Sequence, residues 1–382
     1  MLQKFLDAKP LFYDEIDYAR MPRIYNRIKK YFSLANIIHI IGTNGKGTTG
    51  RFLASALYHL GYNTGHYTSP HILEFNERIW FNSKNVSMHE LEDTHMQLLS
   101  LLTSDEAKSL SYFEYTTLLA MLYFSNRSDF VILEAGLGGE HDATAVFANN
   151  LTLITPIDKD HESFLGNDIQ TIARTKLNAI QKAVIIAKQK HVDVYKVLDE
   201  IAINKDIDIY RVEDILTEDD VNNMEIIIKK EHLPLYLQQN LSLAITALHY
   251  FNIAYTPQCF YNARLFGRLT YLNDKIIVDV GHNTLAAESI ATSLKDKKYI
   301  LVYNSYKDKN YNEILKILQP IIKRVELIDV YNTRIAESSY LQESLKKLGM
   351  KFSVFKKIDE EEDYLVFGSF SVVEAFLKVY RG

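Results

Sequence analysis

The sequence predicts an α/β fold in two domains, a larger one on a mainly parallel sheet and a smaller one after it. Three observations carry the prediction. Apolar runs of strand length alternate with segments of helical period for most of the chain, the pattern of βα units. A glycine-rich turn containing a lysine separates the first clear strand from its helix. Around Pro257 and Gly267 the periodicity lapses, and strand–helix alternation then starts afresh.

Residues 35–41 read as a buried strand and 42–47 as a loop. The next segment reads as a helix, because Leu53, Ala56, Leu57 and Leu60 recur at helical spacing before Gly61 stops it. Strands are expected at 130–133, 151–155 and 183–187, with helices near 112–124 and 169–181, all belonging to one sheet. The stretch 193–230 is charged and irregular, and its β-like runs at 207–210 and 225–228 suggest a peripheral antiparallel ribbon. A helix at 237–250 follows. Beyond the lapse, strands at 275–280, 299–303, 324–329 and 364–367 alternate with helices, one from Leu285 and a last one after Gly368 and Ser369.

Composition narrows the class. The 382 residues carry 43 basic against 48 acidic side chains, a net charge of -5, which argues against a protein that coats nucleic acid. At 47% hydrophobic and 24% charged the chain is neither disordered nor fibrous in type. The lone Cys259 excludes an internal disulfide and a cysteine-based zinc site, and fits a reducing compartment. The first twenty residues place acids and lysines where a signal peptide needs an apolar core, and no apolar run approaches the ~18 residues of a membrane span. The expectation is a soluble cytoplasmic protein with no membrane and no nucleic-acid partner.

The turn Gly42-Thr43-Asn44-Gly45-Lys46-Gly47-Thr48 suits a phosphate. Glycines let the backbone wrap the anion, the helix N-terminus adds N–H donors, and Lys46 can bridge outer oxygens. The fit to GxxxxGK[ST] is partial: Ile40 occupies the first glycine position and Gly47 intervenes before Thr48. Glu134 ends an apolar strand, so it would project from the carboxyl edge of the sheet beside this turn, where a carboxylate suits Mg²⁺.

Further segments stand in order along the chain: Thr68-Ser69-Pro70-His71 running into Phe75-Asn76-Glu77-Arg78-Ile79; Leu133-Glu134-Ala135-Gly136-Leu137-Gly138-Gly139-Glu140-His141-Asp142-Ala143-Thr144; Asp160-His161 with Leu165-Gly166; Phe266-Gly267-Arg268-Leu269; and Asp279-Val280-Gly281-His282-Asn283. Together with the phosphate turn they resemble the Mur ligase superfamily, in the form with a glycine after the lysine that marks folylpolyglutamate synthases and dihydrofolate synthases.

The resemblance implies an N-terminal P-loop ATPase-like domain at 1–262, a linker at 263–270 and a C-terminal Rossmann-like ligase domain at 271–382. It implies ATP contacts by Thr43, Asn44, Gly45, Lys46, Gly47, Thr48, Asn240, Arg268 and Asp279, with Arg268 and Asp279 reaching across a cleft on domain closure. Ser69, Glu134 and His161 would hold one Mg²⁺, and Lys176, as a carbamate, a second. Carbamylation needs a neutral amine, and Arg174 is the expected cation that lowers its pKa. Lys46, Lys176 and His282 take the catalytic roles, His282 near the nucleotide and incoming amino acid. Asp142 would read a pterin ring, with Phe113 and Ser111 against the same pocket. The segment around Lys176 reads Thr175-Lys176-Leu177-Asn178 and that after Asp142 reads Ala143-Thr144-Ala145, both departures from the usual family pattern.

The implied reaction phosphorylates a carboxylate with ATP and passes the acyl group to an amine, which calls for positioned cations more than for a protein nucleophile. The expected substrates are dihydropteroate, reduced folates and L-glutamate, and the expected state is a monomer. Polyglutamylation alone, or ligation to another acid such as a cell-wall precursor, is the nearest alternative, the latter disfavoured by Gly47. A nucleotide-binding regulator would not need Lys46, Ser69, Glu134 and His161 together. A P-loop motor or GTPase would not need Asp279 and His282, and a dinucleotide site fails for want of GxGxxG.

Overall fold

Residues Asn36–Ile41 form strand β1, buried along nearly its whole length because both of its faces are covered. A computed structural model, describing residues 1–10, 17–160 and 162–381, places β1 inside a sheet with β2 (Thr64–Tyr67), β3 (Ile79–Phe81), β4 (Lys84–Asn85), β5 (Phe130–Glu134), β6 (Leu151–Ile154), β7 (Ala183–Ile186) and β8 (Asp208–Arg211). Among the described residues the order is β4-β3-β2-β5-β1-β6-β7-β8. The strands β2, β5, β1, β6, β7 and β8 are parallel, while β3 and β4 add an antiparallel edge. The register pairs Ile40 with Glu134, Tyr67 with Leu133 and Ile41 with Ile154, so four neighbouring strands end level and their loops open on one edge.

The helices Lys46–His59 and Gln238–Tyr250 pack on each other. The first stops in a Schellman turn, Gly61 N donating to Tyr58 O and Tyr62 N to Leu57 O, which the positive φ of Gly61 permits. Ile37 joins a cluster with Leu118, Met121 and Phe124 of the helix Tyr112–Phe124, whereas Ile41 joins one with Ile172, Ala173 and Leu198. Each such buried isoleucine, leucine, methionine or phenylalanine contributes about 1.5–3 kcal/mol.

The expected ribbon at 193–230 is not there. Residues Val192–Lys205 and Glu218–Glu231 are helices, and β8 pairs parallel with β7. The run 225–228 looks strand-like because it is isoleucine-rich, yet it lies inside the second of these helices. A capping box, Thr217 with Asp220, starts that helix, and Met224 and Ile227 are buried at helical spacing while Ile226 is exposed. The helix expected at 169–181 is also shorter, Ile169–Leu177.

The chain divides into two compact units, Met1–Leu233 with Leu237–Ala263, and Pro234–Tyr236 with Arg264–Gly382. The second contains β9 (Thr270–Asn273), β10 (Ile276–Val278), β11 (Tyr299–Tyr303), β12 (Ile322–Leu327), β13 (Phe352–Val354) and β14 (Tyr364–Phe367), in the order β13-β12-β11-β14-β10-β9. All pairings are parallel except β9 with β10. The short strands β9 and β13 were not expected.

Candidate active site

The loop after β1 is shaped by two glycines. Gly42 and Gly45 have φ of +148° and +88°, and a Cβ would stand 1.9 Å from Thr155 Oγ1 at the first and 2.1 Å from Asn240 Nδ2 at the second. The helix begins at Lys46 directly after Gly45, so its N-terminal amides face the loop. Asn240, buried, donates from Nδ2 to Gly45 O and Thr49 Oγ1, each at 3.1 Å, and so clamps the loop to the helix Gln238–Tyr250. Thr43 Oγ1 donates to Asp158 O at 2.9 Å and accepts from Asp158 N at 3.1 Å. Lys46 folds back to Gly42 O and Thr43 O, both at 3.3 Å. Asn44 is half-buried in the same loop and Gly47 is buried in the first turn.

The neighbouring strand ends bring Glu134 and Ser69 together. Glu134 is buried, and its Oε2 accepts from Ser69 N at 3.2 Å and from the Thr68 hydroxyl. His161 lies outside the described residues. On the loop's other side Lys176 is buried, with Nζ donating to Gly42 O at 3.0 Å. Burial, reinforced by repulsion from Lys46, holds its ammonium down to about 7. Arg174 does not act in this way: two residues before Lys176, it points to the other side of the helix, where its guanidinium is half-exposed and paired to Glu200 at 2.6 Å. Lys46 is the cation that faces Lys176.

Asp142 is buried at the start of the short 3₁₀ turn Ala143–Val146. Its Oδ2 accepts from Gly136 N at 3.0 Å and Leu137 N at 2.8 Å, and its Oδ1 from Thr144 N at 2.9 Å and the Thr144 hydroxyl. Burial pushes its carboxyl up, with these donors opposing. Phe113 lies against Gly136, one of the two residues whose amides Asp142 accepts from, since a Cβ there would stand 2.6 Å from the ring. Ser111 caps the helix Tyr112–Phe124 by accepting from Glu114 N at 3.2 Å, a capping box already written in Ser111-Tyr112-Phe113-Glu114.

In the second unit Asp279 is buried and fully engaged. It accepts from Leu269 N at 2.8 Å, Gly281 N at 2.7 Å and the Tyr236 hydroxyl at 3.2 Å. Burial raises its carboxyl pKa, and Arg268 opposes this. The Arg268 guanidinium lies 5.2 Å from the centre of the Phe370 ring and donates to Gly267 O at 3.2 Å. His282 is half-buried, with Nδ1 donating to Val280 O at 3.1 Å.

The donor set fits a hard divalent cation with phosphate. Thr48 Oγ1 is buried without a hydrogen-bond partner among the described residues, as expected of a group kept for a ligand. Ser69, Glu134 and Thr48 all offer oxygen, the donor Mg²⁺ prefers, and no cage of three or more His, Cys, Asp and Glu side chains exists among the described residues. Mg²⁺ needs few protein ligands when phosphates and water complete its shell.

No family model matches the chain. A dihydrofolate synthase/folylpolyglutamate synthase of Buchnera aphidicola subsp. Schizaphis graminum is 32% identical over 367 residues, which cover 88% of this chain and 86% of the relative. The chain belongs to the dihydrofolate synthase/folylpolyglutamate synthase family. Solved structures agree with that placement. The crystal structure of Helicobacter pylori folylpolyglutamate synthetase matches with a TM-score of 0.81 at 36% identity, covering 100% of this chain and 98% of that one. The Escherichia coli FolC in complex with DHPP and ADP matches with a TM-score of 0.85 at 25% identity, covering 100% and 97%.

Sequence reasoning missed the residues that brace these ligase loops. Gln189, on the loop after β7, accepts from Ile157 N at 2.8 Å and donates to Ala187 O at 2.7 Å, and His191 Nε2 stands 2.9 Å from Asp158 Oδ1. No local spacing announces the contacts to Ile157 and Asp158, because they join loops more than thirty residues apart. Thr68 opens the segment Thr68-Ser69-Pro70-His71, and its position before Ser69 is the one signal that points to it.

Proposed function

We infer that the chain is an ATP-dependent ligase that joins L-glutamate to dihydropteroate and extends the glutamate tail of reduced folates. The ligase class follows from family membership. The observation that carries the reading is the convergence of the Gly42–Gly45 loop, Glu134, Ser69 and Lys176 on one edge of the sheet, which supplies a phosphate cradle, oxygen donors and two lysines that share the Gly42 carbonyl.

In the mechanism the loop amides and Lys46 bind the phosphates of ATP, and the γ-phosphoryl group passes to the substrate carboxylate to give an acyl phosphate. The amine of glutamate then attacks the acyl carbon, forming the amide and releasing phosphate. Charge grows on phosphoryl oxygens in both steps, and Lys46 is placed to offset it. Two Mg²⁺ ions, the first held by Ser69, Glu134 and His161 with the unpartnered Thr48 hydroxyl offered from the phosphate turn, the second by a carbamylated Lys176, would supply further stabilisation of that charge. With its pKa lowered to about 7, the Lys176 amine is about half neutral at pH 7, which supports the carbamate, since only a neutral amine reacts with CO₂.

Asn240 keeps the loop in its binding shape. Arg268 and Asp279 are assigned to the nucleotide and His282 to the incoming glutamate, with residues 271–382 as the Rossmann-like ligase domain, 263–270 as linker and 1–262 as the ATP-binding domain. Asp142, Phe113 and Ser111 are assigned to the acceptor's ring end. The protein acts as a monomer in the cytoplasm, without nucleic-acid partners; no helix among the described residues is long and apolar enough to cross a membrane. Comparing turnover with dihydropteroate and with tetrahydrofolate tests the dual activity: product from tetrahydrofolate alone would leave only the polyglutamylase.

A further inference from the structure

We propose that His39 is a positioning residue for the acceptor side of the reaction, acting through Thr144 and Asp142 on the turn 136–139. The proposal rests on the ligase reading above. His39 sits fully buried in the middle of β1, where all other residues from 37 to 41 are isoleucine. By the two-residue period of a strand it shares a face with Ile37 and Ile41, each of which belongs to a separate apolar cluster. An imidazole there is an unexpected occupant that apolar packing does not require.

Its polar partner explains it. His39 Nε2 stands 2.8 Å from Thr144 Oγ1, and that hydroxyl donates to Asp142 Oδ1. A hydroxyl has one proton, so Thr144 must accept from His39, and the ring is the Nε2–H tautomer. Nδ1 then carries a lone pair and no proton, in keeping with its lack of a partner among the described residues. Burial holds the ring pKa down to about 4, so the imidazole is neutral and donates one proton in one direction. Donation therefore runs from His39 to Thr144 to Asp142.

The far end of this relay is the turn that follows Glu134. Asp142 Oδ2 accepts from Gly136 N and Leu137 N at 3.0 and 2.8 Å. Gly136 lies against the Phe113 ring, and Gly139 lies so close to Lys176 that a Cβ would stand 2.5 Å from its carbonyl oxygen. The turn is thus held between the side chain assigned to the acceptor ring and the lysine assigned to the reacting end. Without the His39 N–H, the lone pairs of the buried Thr144 hydroxyl lose their donor, its bond to Asp142 is no longer reinforced from behind, and the clamp on the two amides weakens.

The test compares wild type with His39→Leu, His39→Gln and Thr144→Val. ATP and dihydropteroate are varied separately, and deuterium exchange at Gly136 and Leu137 is read in parallel. Leucine keeps the apolar volume without a donor, and glutamine keeps an N–H near the place of Nε2. His39→Leu is expected to raise KM for dihydropteroate about tenfold, the worth of one lost hydrogen bond, with KM for ATP unchanged and exchange at Gly136 and Leu137 faster. His39→Gln is expected to restore both readouts. Unchanged exchange in His39→Leu, or a rise in both KM values that glutamine fails to rescue, overturns the proposal. If His39→Leu does not fold, Thr144→Val must show the same split between the two KM values and the same exchange. Absence of turnover in wild type would overturn the ligase reading instead, and the exchange at the two amides would still decide the relay.

Discussion

Lys176 shows how one residue's surroundings change its chemistry. An ordinary helix lysine stays charged to about pH 10, whereas burial and the facing Lys46 bring this one to about 7. The folded state therefore holds fewer protons than the unfolded chain between pH 7 and 10.5, so stability rises with pH across that window, and the full penalty is present below it. In CO₂-free buffer, Lys176→Met should exceed wild type in urea midpoint most at pH 6.5, the gap narrowing by pH 9.5; a gap indifferent to pH would contradict the buried-amine account. Lys46→Ala should lower kcat/KM by about 10²–10³-fold, the scale of losing one charge-stabilising donor, with the melting temperature nearly unchanged. Retained turnover in that variant would remove the loop from the mechanism. Lys46 was legible because its chemistry is local to a glycine-rich turn. The environment of Lys176 was not, since Arg174 is its neighbour in sequence while Lys46 is its neighbour in space.

Among elements, the loops at the carboxyl edge are braced by other elements. Gly45→Ala would force a left-handed backbone on alanine, at about 1–2 kcal/mol, and drive its Cβ into Asn240. ADP affinity, read by titration calorimetry, should fall at least tenfold; unchanged affinity would mean the loop does not carry the nucleotide. Gln189→Leu should leave the buried Ile157 N–H without its acceptor, at a cost of about 1–3 kcal/mol, visible as a lower urea midpoint. The alternation of apolar runs revealed β1, β5, β6 and β7, since parallel strands covered on both faces are apolar throughout. It misassigned residues 225–228, where a β-branched run satisfies strand propensity while the capping box at Thr217 and the burial of Met224 and Ile227 favour a helix. Ser111, Asp142 and Asn240 illustrate a further limit: residue type announced polar roles, but only the fold reveals that each is already bonded to a cap, a turn or the phosphate loop.

At the scale of the molecule, each unit has its own sheet and apolar core, and Pro234–Tyr236 belongs with the second unit although the chain on both sides of it belongs to the first. Its Tyr236 supplies a hydrogen bond to Asp279, a contact that a division of the sequence at a single point does not anticipate. The segments 279–283 and 133–144 were nonetheless identifiable from motif residues that stand in the same order as in the family. The activity that follows from family membership is glutamate ligation. It is tested most directly by incubating the purified protein with Mg-ATP and L-glutamate, with dihydropteroate, with tetrahydrofolate or with no acceptor, measuring ADP and weighing the products by mass spectrometry. Acceptor-dependent ADP and a product one glutamyl residue heavier are expected from each acceptor; no new amide and no acceptor-dependent ADP from either would rule glutamate ligation out.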